Sequence, residues 1–179
     1  MEAAAAETAR PGYVDPKTLR TVCGQFVTGV TVVTTTLAGE SAGTTVNSFT
    51  SVSLAPPLVL FCLHKAARFG GLVHESGSFV VNFLAGRQER VARAFAARET
   101  AQFHDLPHRG SEAGGPVLHD ALAYLSCRTV SEFDGGDHTI FLGQVIRLGV
   151  QRHQDEPLVF FRGSMGRLEP PAAHAIWDG

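Results

Sequence analysis

The sequence predicts a mainly β protein, a β-barrel with flanking helices. Three observations carry that prediction. Val30 to Thr36 is a β-branched run, the composition of a strand. Two long strand patterns, Ala121–Phe133 and His138–Val150, flank Asp134-Gly135-Gly136-Asp137, a strong hairpin signal. Helical patterns are few and short, and they do not alternate with strands as a parallel doubly wound sheet requires.

In chain order, residues 1–14 hold an alanine run with Glu2 and Glu7 but no basic n-region, and are expected to form a disordered tail, not a secretory signal. Asp15-Pro16 starts a helix, an acceptor at the N-cap followed by a proline whose missing N–H costs nothing there. Leu19, Val22, Cys23 and Phe26 form one apolar stripe on it, and it ends before Thr28-Gly29. After the Val30–Thr36 strand, Leu37–Ser41 with Gly39 turns the chain into a second strand, Thr44–Ser53, as an antiparallel hairpin. That strand puts Phe49, Ser51 and Ser53 on one face and Thr50, Val52 and Leu54 on the other. Seven of its ten residues carry small hydroxyl or amide side chains, which let a flat, polar-edged ligand approach the backbone. A solvated edge strand accounts for the same composition. Pro56-Pro57 cannot donate ladder hydrogen bonds and makes a corner before a buried strand, Leu58–Leu63.

Ala66–Ser76 reads as a short helix with Phe69, Leu72 and Val73 inward and Gly77 ending it, against the helix-weakening pair Gly70-Gly71. A strand over Ser78–Leu84, a helix over Gly86–Arg98 and a loop over Glu99–Gly115 follow, then the long hairpin and a last strand, Pro157–Arg162. Residues 169–179, with Pro170-Pro171, read as an irregular tail, leaving one domain over 15–168.

The 179 residues suffice for a single domain burying about 70% of its unfolded surface. A formal net charge of -2 gives no general pull on nucleic acid or membrane surfaces, and no apolar run approaches the roughly 18 residues of a membrane span. Cys23, Cys62 and Cys127 are odd in number, far apart and set in apolar segments, as expected of small buried residues in a reducing cytoplasm.

Motifs narrow the chemistry mainly by elimination. There is no glycine-rich dinucleotide fingerprint, no Walker phosphate loop and no Gly-x-Ser-x-Gly elbow. His104 and His108 stand four apart, but Pro107 between them opposes the helix a metal pair would need, so no metal site is expected. His138 lies just past the tight turn, where its ring can face a ligand or merely serve the turn backbone. Lys65 and Arg68 follow the buried strand at a helix start, a place suited to phosphate, although isolated basic residues are commonly solvated. His64 before them reads as a further contributor to that contact or, more commonly for a lone histidine at a strand end, as a surface residue. Arg162-Gly163 ends the last strand, as a phosphate or carboxamide contact or as a plain terminating charge.

Together these segments resemble the flavin reductase family, the small reductase components of two-component flavin-dependent monooxygenases. The resemblance is carried by Thr28-Gly29-Val30 leading into Val32-Val33-Thr34, by Asn47-Ser48-Phe49-Thr50-Ser51-Val52-Ser53-Leu54 with Pro56-Pro57-Leu58, and by Val80-Val81-Asn82-Phe83-Leu84 with Gln88. Gly115-Pro116-Val117-Leu118, Ala121-Leu122-Ala123-Tyr124-Leu125, Gly135-Gly136-Asp137-His138-Thr139 and Phe160-Phe161-Arg162-Gly163 complete it, over roughly Asp15 to Leu168.

The resemblance implies a split β-barrel, a homodimer, and FAD or FMN bound in a groove near the subunit interface. It further implies NADH as hydride donor and a monooxygenase as recipient of the reduced flavin. Carried over by position, Thr44, Thr45, Val46, Asn47 and Ser48 would line the isoalloxazine edge. Phe61, Cys62, Lys65, Ala66, Arg68 and Phe69 would serve the ribityl-phosphate side. Asn82, Phe83, Leu84 and Gln88 would reach the rest of the nucleotide, and His138 and Arg162 would contact the nicotinamide. The sequence departs from the family after Lys65, where Ala66-Ala67 replaces the usual hydroxyl residues. Two rival readings stay open: a pyridoxamine-phosphate oxidase-like enzyme and a non-catalytic flavin-binding carrier or sensor.

Overall fold

The computed structural model describes residues 14–97, 103, 106–112, 114–152 and 155–168. The tails expected at residues 1–14 and 169–179 (Val14 apart) and His104 lie outside the described residues. The elements run α1 (Pro16–Cys23), β1 (Thr28–Gly29), β2 (Thr31–Leu37), β3 (Glu40–Val46), β4 (Thr50–Leu54), β5 (Pro57–His64), α2 (Arg68–Ser76), β6 (Ser78–Phe83), a 3-10 turn (Gly86–Gln88), α3 (Glu89–Ala96), β7 (His108–Arg109), β8 (Val117–Leu118), β9 (Ala123–Gly135), β10 (His138–Val150), β11 (Leu158–Phe161) and β12 (Ser164–Arg167).

Seven strands make one antiparallel sheet in the order β3-β2-β6-β9-β10-β5-β4. Its two faces follow directly from the period-2 alternation of strands. Val33, Phe61, Phe79, Val81 and Phe141 point inward and form a buried core that α2 closes with Phe69 and Val73. Val32, Leu84 and Leu158 point the other way and pack with Ala92 and Phe95 of α3 in a second cluster outside the sheet. The sheet curls until the chain after β3 meets β5. There the Ser48 hydroxyl donates to the Cys62 carbonyl (3.1 Å) and accepts the Cys62 N–H (2.9 Å). One side chain thus stands where a strand neighbour would, and the result is a split barrel.

That hydroxyl explains the main departure from the sequence reading. The expected strand Thr44–Ser53 is two strands on opposite edges of the sheet, parted at Asn47-Ser48-Phe49. A bulge between Ser51 and Ser53 also breaks the two-face alternation expected there. The helix expected over Gly86–Arg98 begins as the 3-10 turn, because the Gln88 side chain turns back to accept the Ala85 N–H (2.9 Å). β12, absent from the sequence reading, pairs with β11 through the two-residue turn Arg162-Gly163, both at positive φ (50° and 82°).

Asp15 caps α1 as expected, accepting the Thr18 N–H at 2.8 Å. The apolar stripe expected here, however, faces solvent: Leu19 and Val22 on α1 and Phe26 just beyond its end are 53%, 63% and 75% exposed. Cys23 on the same helix is exposed, contrary to expectation, while Cys127 is buried. Desolvation pushes the Cys127 thiol up to about 12.

Candidate functional site

Strand pairing places the candidate groups. His138 pairs with His64 across β10 and β5, and Ile140 pairs with Cys62. Their neighbours Leu63, Phe61 and Phe141 are buried inside the barrel. His64, His138, Cys62 and Ile140 therefore share the opposite, outward face, at the mouth of the β9–β10 hairpin. The Ser48 bridge to Cys62 borders that face.

The mouth is charged and ordered. His138 Nδ1 lies 2.7 Å from Asp137 Oδ1. The His138 hydrogen bond, ahead of the opposing effect of desolvation, holds the Asp137 carboxyl below the usual carboxylate range. With that carboxylate ionised, Nδ1 carries the proton and donates it, and Nε2 is left for a ligand. Lys65 Nζ meets Asp134 at 2.7 Å, both side chains exposed to solvent (46% and 77%), so the pair contributes little stability. Such a cation can exchange its carboxylate for a bound phosphate at small cost. Beyond it, α2 starts at Ala67 with no side-chain cap and no acidic residue in its first turn, with Arg68 exposed as its first residue. An uncapped helix start beside two cations suits an anion.

The other expected residues divide sharply. Asn47 is exposed and donates to Thr28 Oγ1 (3.2 Å), tying this corner to β1 and, through the Thr28–Phe160 pair, to the β11–β12 hairpin. At that hairpin's tip Arg162 is exposed, with Nε and Nη2 both on Gln25 Oε1 (2.8 and 2.6 Å). Ala66 is exposed, and Thr44 and Phe83 are half-buried. Thr45 gives its hydroxyl to the Ala92 carbonyl (2.7 Å) and so anchors α3. Val46, Phe61, Phe69, Leu84 and Gln88 are buried, with packing or capping roles. Asn82 is wholly buried: its amide donates to Val32 and Pro116 carbonyls and accepts the Leu118 N–H. These six side chains are buried and act here in packing, capping or latching.

Sequence reasoning gave no site role to Asp134, Thr28 or Gln25 and weighed His64 mainly as a surface residue. Only the strand register could have found His64, since nothing local marks it. No cluster of three or more potential metal ligands occurs among the described residues, nor is any described helix long and apolar enough to cross a membrane.

Comparison with known proteins fits this geometry to a family. The flavin reductase like domain matches residues 23–169. The chain belongs to the flavin reductase family. Within it, the chain is 41% identical over 158 residues to the reductase subunit HsaB of a flavin-dependent monooxygenase from Mycobacterium tuberculosis, covering 88% of this chain and 84% of that one. It is 42% identical over 167 residues to an NADH-dependent FAD reductase from Streptomyces globisporus (89% and 91% covered). Among solved structures, nitrilotriacetate monooxygenase component B from Mycobacterium thermoresistibile superposes with a TM-score of 0.85 at 39% identity, over 90% of this reductase-family chain and 91% of its own. The Streptomyces globisporus NADH:FAD oxidoreductase in complex with NAD and FAD fragments superposes with a TM-score of 0.83 at 43% identity (89% and 98% covered).

Proposed function

We propose that the chain is an NADH-dependent flavin reductase that delivers reduced FAD or FMN to a partner monooxygenase. The observation that carries this reading is the outward face of β5 and β10, where a hydroxyl-bordered corner at Cys62, an oriented His138 opposite His64 and the cationic, uncapped start of α2 follow one another along β5. The names of relatives in the same family, an NADH-dependent FAD reductase and reductase subunits of monooxygenases, support it.

The residues present fit a flavin nucleotide. Lys65, Arg68 and the start of α2 would hold its phosphate, and the Asn47-Ser48 corner would lie along its ring edge. When bound there, flavin would supply the redox chemistry, as acceptor of a hydride from the reduced nicotinamide. The chain's own task is to hold two flat rings together, which turns a two-body encounter into an effectively unimolecular step. His138, through Nε2, positions the nicotinamide, with its ring orientation fixed by Asp137. Arg162, parked on Gln25, stands ready to contact the same nucleotide. His138→Ala is expected to raise KM for NADH about tenfold, a loss of roughly 1.4 kcal/mol, with KM for flavin within twofold of wild type. Equal losses for both substrates in steady-state kinetics would contradict this role.

The exposed apolar residues of α1 and of the turn after it support a homodimer. Leu19 and Val22 on the helix and Phe26 just beyond it are apolar side chains of a kind that monomers rarely leave together in water. Phe26→Asp is expected to shift the protein toward monomer in light scattering; an unchanged mass would remove this segment from the interface. The three free cysteines suit a reducing compartment, and we place the reaction in the cytoplasm.

A further inference from the structure

We propose that His64 is a positioning residue for His138, a role resting on the nicotinamide-facing assignment of His138 above. The Lys65 N–H donates to the Asp137 carbonyl at 2.9 Å. The adjoining pair His64–His138 is therefore a non-hydrogen-bonded pair, the kind whose side chains approach most closely. The rings meet edge to face, centroids 5.4 Å apart at 74°.

His64 is itself anchored. Its Nδ1 lies 3.1 Å from the Ala66 N–H, and that nitrogen must accept, so the ring's proton sits on Nε2. Its main-chain carbonyl accepts the Ala67 N–H at 2.8 Å, which starts the turn into α2. The His64 ring is thus fixed by the backbone of the phosphate-side turn, and it fixes the His138 ring in turn. His138 is held on one side by the Asp137 carboxylate and on the other by His64. With either support missing, its ring would sample rotamers in which Nε2 leaves the ligand face. The pair also joins the two halves of the site, since the turn that begins the phosphate end carries the ring that steadies the nicotinamide end.

Three variants separate ring contact from turn capping. His64→Ala removes both, His64→Asn keeps an acceptor for the Ala66 N–H, and His64→Phe keeps only a ring. Histidine nitrogen NMR on flavin-free protein at pH 8 should show His138 as a single Nδ1–H tautomer in wild type and His64→Phe, and as a tautomer mixture in His64→Ala and His64→Asn. Steady-state kinetics should show KM for NADH raised about three- to tenfold in the Ala and Asn variants, the scale of an aromatic contact, with kcat and KM for flavin within twofold. His64→Phe should stay within twofold of wild type throughout. An unaltered His138 tautomer in His64→Ala would overturn the proposal, as would rescue by Asn but not by Phe. Wild-type protein without NADH–flavin turnover would sink the reductase reading instead, and the NMR comparison would still judge the pairing.

Discussion

Asn82→Ala is expected to lower stability by about 3 kcal/mol. Asn82 sits on the outer face of β6 under the Pro116–Leu118 segment, with no exposed surface. Its amide nitrogen lies 3.2 Å from the Val32 carbonyl and 3.3 Å from the Pro116 carbonyl, and its oxygen accepts the Leu118 N–H at 2.8 Å. The Thr34 hydroxyl, bonded to Pro116 O at 2.6 Å, is part of the same network. Truncation leaves the buried Leu118 N–H without its partner and opens a cavity, and each of those losses costs on the order of 1–3 kcal/mol. At roughly 2–4 °C per kcal/mol for a domain of this size, the melting temperature should fall by about 6–12 °C. A shift of under 2 °C by circular dichroism would show that the network relaxes around the gap. Asn82→Asp should be at least as harmful, since it sets an acceptor against the two carbonyls.

The second large effect is steric. A Cβ added to Gly143 on β10 would lie 2.3 Å from Phe79 Cζ and 3.1 Å from Cys127 Cβ. Phe79 cannot swing away, because it is fully buried and its ring packs edge to face on Phe61 at 4.9 Å. Gly143→Ala is therefore expected to cost about 2–3 kcal/mol through overpacking. Gly71→Ala is the control, with open space at its Cβ. Removing one helical glycine there should leave stability unchanged or raise it by up to about 1 kcal/mol. If the two variants melted together, the close contact across the barrel would not exist in solution.

The contrast between these positions shows which parts of the fold the sequence expressed. Strands and hairpins were legible because β-branched runs and Gly-containing turns are local signals. The α2 helix, its inward Phe69 and Val73, and its Gly77 terminus were legible for the same reason. The break between β3 and β4 was not, because it depends on one hydroxyl, Ser48, meeting the backbone of Cys62 fourteen residues on. Before folding, Ser48 and Ser51 look alike.

Of the expected site residues, Cys62 and His138 share the outward face of β5 and β10, with Lys65 at the hairpin mouth and Arg68 at the start of α2. Phe61 stands beside Cys62 in sequence but faces the barrel interior, because alternation along a strand sends neighbours to opposite faces, whereas Asn82, Leu84 and Gln88 are buried under other segments. Asn82 is the instructive case. A polar residue in an apolar strand suggests a ligand, yet here it latches a distant segment to the sheet. His64 is the converse, a residue that looked like surface and is joined to His138 by register alone.

The most direct test of the central claim is steady-state oxidation of NADH by the purified protein, with FAD and FMN each added in turn and NADPH as the alternative donor. NADH consumption that requires added flavin, is faster than with NADPH, and is impaired in His138→Ala through KM for NADH is the predicted result. Absence of turnover with every flavin and either nucleotide would contradict it.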